Sequence, residues 1–258
     1  MRVSRYHRWL NWREVSEVQS PVWQDATLPA QCCVLAICAH PDDIESWCGG
    51  TLALLVDRGC DVSLALLTAG DKGSADREAR PEDIAATRLA EQAAANARLG
   101  LSGLRFLGWR DGELEDGPEL RGAVVRLLRE ARPSVVFTHD PEHPYPPYIT
   151  HRDHRVAGRV VLDAAYPMAR DHLYFPGQVA EGLEPHAVEQ VWLFSTLAPS
   201  TAVDITTTLE RKIDARLAHR SQTGDPAALR AGWRERAAAI GAPYGLAAAE
   251  TFSVVRLS

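Results

Sequence analysis

One histidine and three carboxylates crowd into six residues early in the chain, in the run His40-Pro41-Asp42-Asp43-Ile44-Glu45. Like charges this close raise one another's pKa and oppose folding unless a positive group lies among them, and a divalent cation would remove that cost. Because histidine and aspartate both bind zinc, His40 and Asp43 could meet at one metal and leave Asp42 as a base beside it. The alternative is structural, since either aspartate could instead cap a following helix.

A second polar group, with His151, Asp153 and His154, follows a loop that contains four prolines. The two histidines lie three residues apart and would share a face of a helix, so one could bind a metal while the other reaches a substrate oxygen. Asp153 could orient an imidazole through its second ring nitrogen. The histidines of the loop itself, His139 and His143, are weaker candidates. Together the two groups supply three protein ligands and an open position, which is typical of catalytic zinc and suits hydrolysis of an amide or ester.

The elements that must position these groups alternate between strand and helix along the chain. Apolar runs predict strands over 33–39, 62–67, 104–107, 135–138, 188–194 and 252–257, and helical patterns predict helices over 51–56, 81–100, 120–128, 155–165, 209–219 and 227–240. This order predicts an α/β, Rossmann-like fold, a mostly parallel sheet with helices on both faces. Ligands in such sheets bind beyond the carboxyl ends of the strands, so the active site is expected at that edge.

The motifs at these positions resemble, in order, those of the PIG-L/LmbE-like family of zinc-dependent N-deacetylases. The resemblance begins with Ala39 to Glu45 and the following Gly49-Gly50-Thr51, and it ends with His151-Arg152-Asp153-His154. Between them stand Thr68-Ala69-Gly70-Asp71-Lys72-Gly73, Arg88-Leu89-Ala90-Glu91 and Gly108-Trp109-Arg110-Asp111-Gly112. The match spans about residues 33–165, and the ordered set is far more specific than any single motif.

The resemblance implies roles for individual residues. His40, Asp43 and His154 would bind one Zn²⁺ per chain, or another divalent metal. Asp42 would be the general base, and His151 would stabilise the oxyanion or protonate the leaving amine, with Asp153 tuning it.

Two further positions are implied to contact substrate, Arg88 and Asp111. For Arg88 an alternative stays open, because it could equally form a structural ion pair with Glu91 or Glu45. Arg152 stands where family members often have proline, and the segment 144–148 differs from the glycine-bearing loop of the mycothiol enzymes. A mycothiol precursor is therefore disfavoured as the substrate.

The implied function is a zinc-dependent hydrolase that removes an N-acetyl or other N-acyl group from an amino sugar or glycoside by attack of zinc-bound water. One alternative is a zinc amidase acting on a non-sugar or thiol-conjugate amide, and another is a metal-binding module without catalysis. A dinucleotide enzyme is disfavoured, because His-Pro-Asp-Asp stands where a Gly-x-Gly-x-x-Gly turn would lie.

Composition narrows the class of protein further. The chain has 258 residues, 46% of them hydrophobic, and a net charge of −6, which argues against nucleic-acid binding. No apolar run is long enough for a membrane span, and residues 1–30 contain no apolar region of the kind that a signal peptide needs. The expectation is therefore a cytoplasmic protein with a small-molecule partner. The five cysteines lie within residues 32–60 and are expected to act as small hydrophobes rather than as a zinc cluster or disulfides. Residues 1–30 are expected to form an arm rich in tryptophan and arginine, followed by one domain over 31–258, and related enzymes suggest a possible homo-oligomer.

Overall fold

A computed structural model describes residues 32–142 and 151–257. Its centre is a seven-stranded sheet with the strand order β3-β2-β1-β4-β5-β7-β6. The strands are β1 (Cys33–Cys38), β2 (Asp61–Thr68), β3 (Gly103–Trp109), β4 (Val135–His139), β5 (Gln190–Phe194), β6 (Thr201–Asp204) and β7 (Ala249–Arg256). Pairing is parallel from β3 to β5, and β7 is antiparallel to both of its neighbours. The predicted mostly parallel sheet is confirmed. The predicted N-terminal arm and His143 lie outside the described residues.

Helices cover both faces of this sheet. They are α1 (Asp43–Trp47), α2 (Gly49–Asp57), α3 (Pro81–Leu99), α4 (Pro118–Ala131), α5 (Arg152–Ala165), α6 (Pro176–Ala180), α7 (Leu209–Arg216) and α8 (Pro226–Gly241). On β1, Val34 and Ala36 pack into the core beneath α2 and α3, whereas Leu35 and Ile37 pack into the core beneath α4 and α5. Burial on both faces explains why β1 is an unbroken apolar run rather than an alternating one.

The strand order reverses between β1 and β4. From β1 the chain moves outward through β2 to β3, and it then crosses back to place β4 on the other side of β1. In open α/β sheets the crevice at such a reversal, beyond the carboxyl ends of the strands, is where ligands bind. The residues that follow β1 and β4 therefore border this crevice.

Several boundaries differ from the sequence expectations. A short helix, α1, precedes the first predicted helix, and α5 begins at Arg152, three residues before the predicted start. The N-cap of α5 is His151, whose Nδ1 accepts a hydrogen bond from the backbone N–H of Asp153 at 3.2 Å. Histidine is not a usual N-cap residue, so the sequence did not mark this start of the helix. Strand β6 was not predicted, since its four residues form too short a pattern to recognise.

The cysteines and the helices of the described residues bear on two of the expectations from composition. All five cysteines are free thiols, as their use as small hydrophobes implies. No helix within 32–142 or 151–257 is both long enough and apolar enough to cross a bilayer.

Candidate active site

The chain turns sharply at the end of β1, at Asp42. This residue has φ 78°, a left-handed conformation that few non-glycine residues adopt. The turn brings the Asp43 side chain back toward the strand, where its Oδ2 accepts a hydrogen bond from the backbone N–H of His40 at 2.8 Å. Asp42 occupies the N-cap position of α1, but its side chain forms no capping bond. The structural alternative of helix capping therefore does not account for this aspartate pair.

His154, in the first turn of α5, meets this turn at the sheet edge. Its Nε2 lies 3.2 Å from Nδ1 of His40 and 3.1 Å from Oδ1 of Asp43, and His40 Nδ1 lies 3.7 Å from Asp43 Oδ2. Ligand atoms around a tetrahedral zinc, each about 2.0–2.1 Å from the metal, are about 3.3 Å apart. The three side chains expected as metal ligands are thus brought together, with His154 against one carboxylate oxygen of Asp43 and His40 near the other.

His139, the last residue of β4, joins the same cluster. Its Nε2 lies 3.0 Å from Asp43 Oδ2, and its ring stacks on that of His154 with 4.0 Å between centroids. From the sequence, His139 is a weak candidate, because it is assigned to the loop that follows the strand predicted over 135–138. Its position directly after that predicted strand, at the carboxyl edge, is the signal that could have found it. Among the described residues, three overlapping sets of ligand atoms lie within 4.8 Å of one another: His40, His151 and His154; Asp43, His139 and His154; and His40, Asp111 and Asp153.

Two carboxylates lie behind His40 and hold its second ring nitrogen. Nε2 of His40 is 3.0 Å from Asp111 Oδ1 and 3.5 Å from Asp153 Oδ2. Burial lowers the pKa of His40, but the neighbouring carboxylates outweigh burial and raise this pKa to about 10. A histidine whose far nitrogen is held by a carboxylate is the usual arrangement around a bound metal.

This arrangement changes the setting of both aspartates. The resemblance placed Asp111 against substrate, whereas here it is 7% exposed and contacts His40. The resemblance also had Asp153 tuning His151, and the Asp153 carboxylate does act to raise the pKa of His151. The same carboxylate accepts a hydrogen bond from the backbone N–H of Gly112 at 2.6 Å and lies beside His40. Asp153 therefore acts on the imidazole of His40 as well.

Asp42 is the carboxylate of the cluster that points away from the histidines. Its Oδ1 lies 3.7 Å from Nη2 of Arg88, and its Oδ2 lies 3.5 Å from Nη2 of Arg216, the last residue of α7. Burial raises the pKa of Asp42, and Arg216 and Arg88 partly offset this effect. A carboxylate with a raised pKa, kept near two cations, is suited to accept a proton. Arg216 was missed by the sequence analysis, because nothing in its helix connects it with residue 42.

Arg88 is buried between the loops that follow β1 and β2. Its guanidinium donates to the carbonyl oxygens of Gly70 and Pro41, both at 2.9 Å. Gly70 has φ +64°, and a Cβ there would lie 2.1 Å from Arg88 Nη1, so only glycine fits beside this side chain. The alternative ion pair with Glu91 or Glu45 is wrong, because Glu91 instead binds Ser221 and Glu45 accepts from Gln92.

His151 lies exposed at the mouth of the site. Its ring is edge-on to that of His40, with 4.6 Å between centroids. Because Nδ1 accepts the capping hydrogen bond of α5, the neutral ring carries its proton on Nε2. Burial lowers the pKa of His151, and the nearby His40 and His154 act in the same direction. The ring can therefore offer an N–H donor without being charged.

A cleft of about 810 Å³ opens beside Asp42, Asp43 and His154. Small-molecule sites commonly measure about 300–1,000 Å³, so the cleft can accept a ligand larger than a metal ion and a water molecule. The cleft gives such a ligand access to the side chains of Asp42, Asp43 and His154.

Comparison with known families agrees with this geometry. The profile of PIG-L, described as GlcNAc-PI de-N-acetylase, matches residues 35–165, which include every residue of the cluster. The chain belongs to the PIG-L family. The diacetylchitobiose deacetylase of Thermococcus kodakarensis is 35% identical to this chain over 189 residues, covering 73% of this chain and 69% of that protein.

Other members of the PIG-L family support the same class. The 1D-myo-inositol 2-acetamido-2-deoxy-alpha-D-glucopyranoside deacetylase of Mycobacteroides abscessus is 30% identical over 229 residues, covering 73% of this chain and 81% of that protein. The N,N'-diacetylchitobiose deacetylase of Pyrococcus horikoshii was solved with its inhibitor MPG. Its structure matches this one with a TM-score of 0.81 at 30% identity, and the match covers 87% of this chain and 84% of that chain. The predicted family, fold and enzyme class are confirmed: this PIG-L chain is an enzyme, and its relatives are deacetylases of amino sugars.

Proposed function

We propose that this PIG-L enzyme removes the N-acetyl group of an amino sugar or glycoside, with one Zn²⁺ held by His40, Asp43 and His154. The observation that carries the proposal is the convergence of these three side chains, whose nearest nitrogen and oxygen atoms lie 3.1–3.7 Å apart. The neighbouring carboxylate of Asp42 faces Arg88 and Arg216 instead. Three protein ligands with an open position are typical of catalytic zinc rather than structural zinc.

A divalent cation bound there would lower the pKa of a water molecule and polarise the acetyl carbonyl. Asp42 takes the proton of the attacking water, because its carboxylate lies at the cleft and outside the ligand set. The guanidinium groups of Arg88 and Arg216 fix its position from two sides. These contacts hold the Asp42 carboxylate in place, and its partly exposed oxygens can still reach a water molecule.

His151 is the second side chain to which the proposal gives a part in the reaction. One of its ring nitrogens lies within 4.8 Å of ring nitrogens of His40 and His154, so it borders the space where the amide would bind. A donor at that position stabilises the developing oxyanion. The proton that Asp42 took from the water then passes to the leaving amine, which departs as the free amino sugar together with acetate. Neither Asp42 nor His151 is needed merely to hold a metal, which favours an enzyme over a metal-binding module.

The test is acetate release from a panel of N-acetylated compounds by zinc-loaded protein. The panel contains N-acetylglucosamine, N,N'-diacetylchitobiose, an N-acetylated amino acid and an amide of a thiol conjugate. Acetate from the sugars alone supports the proposal, and acetate from the non-sugar amides alone supports the amidase alternative. No acetate from any compound would overturn catalysis by this site.

Metal content tests the ligands separately from activity. The purified wild-type chain should contain about one zinc, as expected for one three-ligand site. The His154→Ala variant should lose most of it, and full zinc content in this variant would overturn the assignment.

A further inference from the structure

The peptide group between Pro41 and Asp42 is held at both of its polar ends. Its carbonyl oxygen accepts a hydrogen bond from Nη2 of Arg88 at 2.9 Å, and its N–H donates to Oε1 of Gln92 at 3.0 Å. Arg88 and Gln92 lie one turn apart on α3, and residues at this spacing share a face of a helix. Because a peptide group is planar, contacts at both ends fix its orientation and with it the backbone rotation at Asp42, the proposed base.

The side-chain amide of Gln92 has one orientation in this contact. Gln92 is fully buried, and its Nε2 donates to Oε1 of Glu45 at 2.8 Å and to Oδ1 of Asn96 at 3.0 Å. A glutamine amide carries two N–H donors, so these two acceptors use both of them. The reverse orientation would set the amide donors against the N–H of Asp42, donor against donor. The oxygen of the Gln92 amide is therefore the end that meets Asp42.

Asp42 needs such support because its backbone is left-handed. A residue other than glycine is strained in this conformation and persists there only where its surroundings hold it. The Asp42 side chain forms no capping hydrogen bond with α1, so side chains of another element supply the support. Asp43 is held separately, by the backbone N–H of His40 at 2.8 Å and by Nε2 of His139 at 3.0 Å. The two neighbouring aspartates therefore depend on different contacts.

We propose that Gln92 is a positioning residue for the reaction: by holding the N–H of Asp42 it keeps this backbone left-handed and its carboxylate where it takes a proton from water. The assignment rests on the proposed function, which makes Asp42 the base. Gln92 acts through the backbone of Asp42, whereas Asp43 keeps its own contacts. Loss of the Gln92 amide should therefore slow the reaction and leave the metal in place.

The first test removes the amide with Gln92→Met, which keeps a side chain of similar length. On the compound from which wild-type enzyme releases acetate, kcat should fall about 10- to 100-fold, because a small displacement of a catalytic group is enough for such a loss. KM and zinc content should stay at wild-type values. The matched control is Gln178→Met in α6, which removes a buried amide that donates to the carbonyl oxygen of Gly122 at 2.8 Å. The control should keep wild-type kcat, and an equal loss in both variants, or no loss in Gln92→Met, would overturn the positioning role.

Two further variants keep a polar group at position 92. Gln92→Asn shortens the amide by one methylene group, so its oxygen should no longer reach the N–H of Asp42, and kcat should fall in the same way. The double variant Gln92→Glu/Glu45→Gln exchanges the carboxylate and the amide of a hydrogen-bonded pair. An oxygen at position 92 again accepts from Asp42, and most of kcat should return. If the double variant binds zinc yet remains as slow as Gln92→Asn, the hydrogen bond to Asp42 does not position the base.

Hydrogen exchange of the Asp42 amide gives a readout that does not depend on turnover. Measured by NMR on zinc-loaded protein, this amide should be protected in wild type and in Gln178→Met. It should exchange at least about tenfold faster in Gln92→Met, because its acceptor is gone. Unchanged protection in Gln92→Met would overturn the contact on which the role rests. If protection falls as expected while wild-type enzyme releases acetate from none of the test compounds, the proposed function fails and the hold of Gln92 on Asp42 stands.

Discussion

Asp42 and Asp43 are neighbours in the chain, yet their carboxylates face different partners. Asp43 lies against His139 and His154, and although burial raises its pKa, these histidines outweigh burial and hold the pKa well below the usual range. Asp42 faces two arginines instead. The left-handed backbone at Asp42 separates the two side chains, and this separation allows one aspartate to bind a metal while the other stays available as a base.

Exchange of each carboxylate for an amide should separate these roles. Asp42→Asn should keep its zinc and lose about 10²–10⁴-fold in kcat, the usual contribution of a general base. Asp43→Asn should lose zinc, because an amide cannot supply the charged ligand that the histidines surround. Zinc content and kcat are measured on the same preparations. Loss of zinc in Asp42→Asn together with retention in Asp43→Asn would mean that the two roles are exchanged.

His151 serves two purposes that a pair of variants can distinguish. His151→Ala should keep zinc, lose about 10²–10³-fold in kcat through the missing donor, and lose about 1 kcal/mol of stability through the missing cap. His151→Asn should recover the stability, because asparagine is a strong N-cap, and should remain slow. Kinetics and denaturant unfolding provide the two measurements. Wild-type kcat in either variant would leave His151 with capping alone.

At the scale of elements, the site depends on how closely α5 packs on β4. A Cβ at Gly158 would lie 2.3 Å from the carbonyl oxygen of His139 and 3.0 Å from the backbone nitrogen of Pro141. Glycine at this position lets the helix approach the strand, and that approach carries His154 to Asp43. The distance between two of the proposed metal ligands, Asp43 and His154, therefore depends on a residue one helical turn after His154.

Gly158→Ala should force α5 away from β4. We expect a loss of about 1–3 kcal/mol in stability, as for other overpacked cores, and a lower zinc content because His154 moves with its helix. Gly232→Ala in α8 is the matched control: it has open space around its Cβ and should gain up to about 1 kcal/mol from better helix propensity. Denaturant unfolding and metal analysis test both. Unchanged zinc content in Gly158→Ala would show that α5 can shift without moving the ligand.

For the whole molecule, the metal cluster joins two parts of the chain that are distant in sequence. His40 and Asp43 follow β1, whereas His154, the third proposed ligand, lies in the first turn of α5, 111 positions after Asp43. A metal that binds only the folded state stabilises it by about 2.7 kcal/mol when its free concentration is 100 times Kd. The cation is thus expected to contribute to the stability of the fold as well as to chemistry.

Chelation should reveal this contribution. Removal of zinc from the wild-type protein should lower Tm by about 5–10 °C, given about 2–4 °C per kcal/mol for a chain of this size. The His154→Ala variant should already have the lower Tm and should not respond to the chelator. Thermal unfolding followed by circular dichroism gives the comparison, and a wild-type Tm that chelation leaves unchanged would contradict a stabilising metal.

The sequence by itself determined the features that local patterns encode. The apolar run of β1 predicted a strand buried on both faces, and the alternation of elements predicted the parallel sheet. From the rule that ligands bind at the carboxyl edge, His40 and Asp43 could be placed near His151 and His154 before any distance was known, and the family resemblance selected His154 as the ligand. The capping glycine of α3, Gly100, was also predictable, because the helix pattern ends there and the residue adopts φ 83°.

Only the tertiary structure decided which distant side chains complete the site. Arg216 approaches Asp42 from α7, His139 joins the ligands from β4, and Trp233 enters the cleft from α8. Each of these contacts joins segments about 100 or more residues apart, and no local pattern marks it. The sequence also did not reveal that β7 pairs antiparallel with β5 and β6, because the direction of pairing depends on which strands become neighbours in the fold. Sequence periodicity records which face of an element is buried, whereas the partner on that face is set by how all the elements pack.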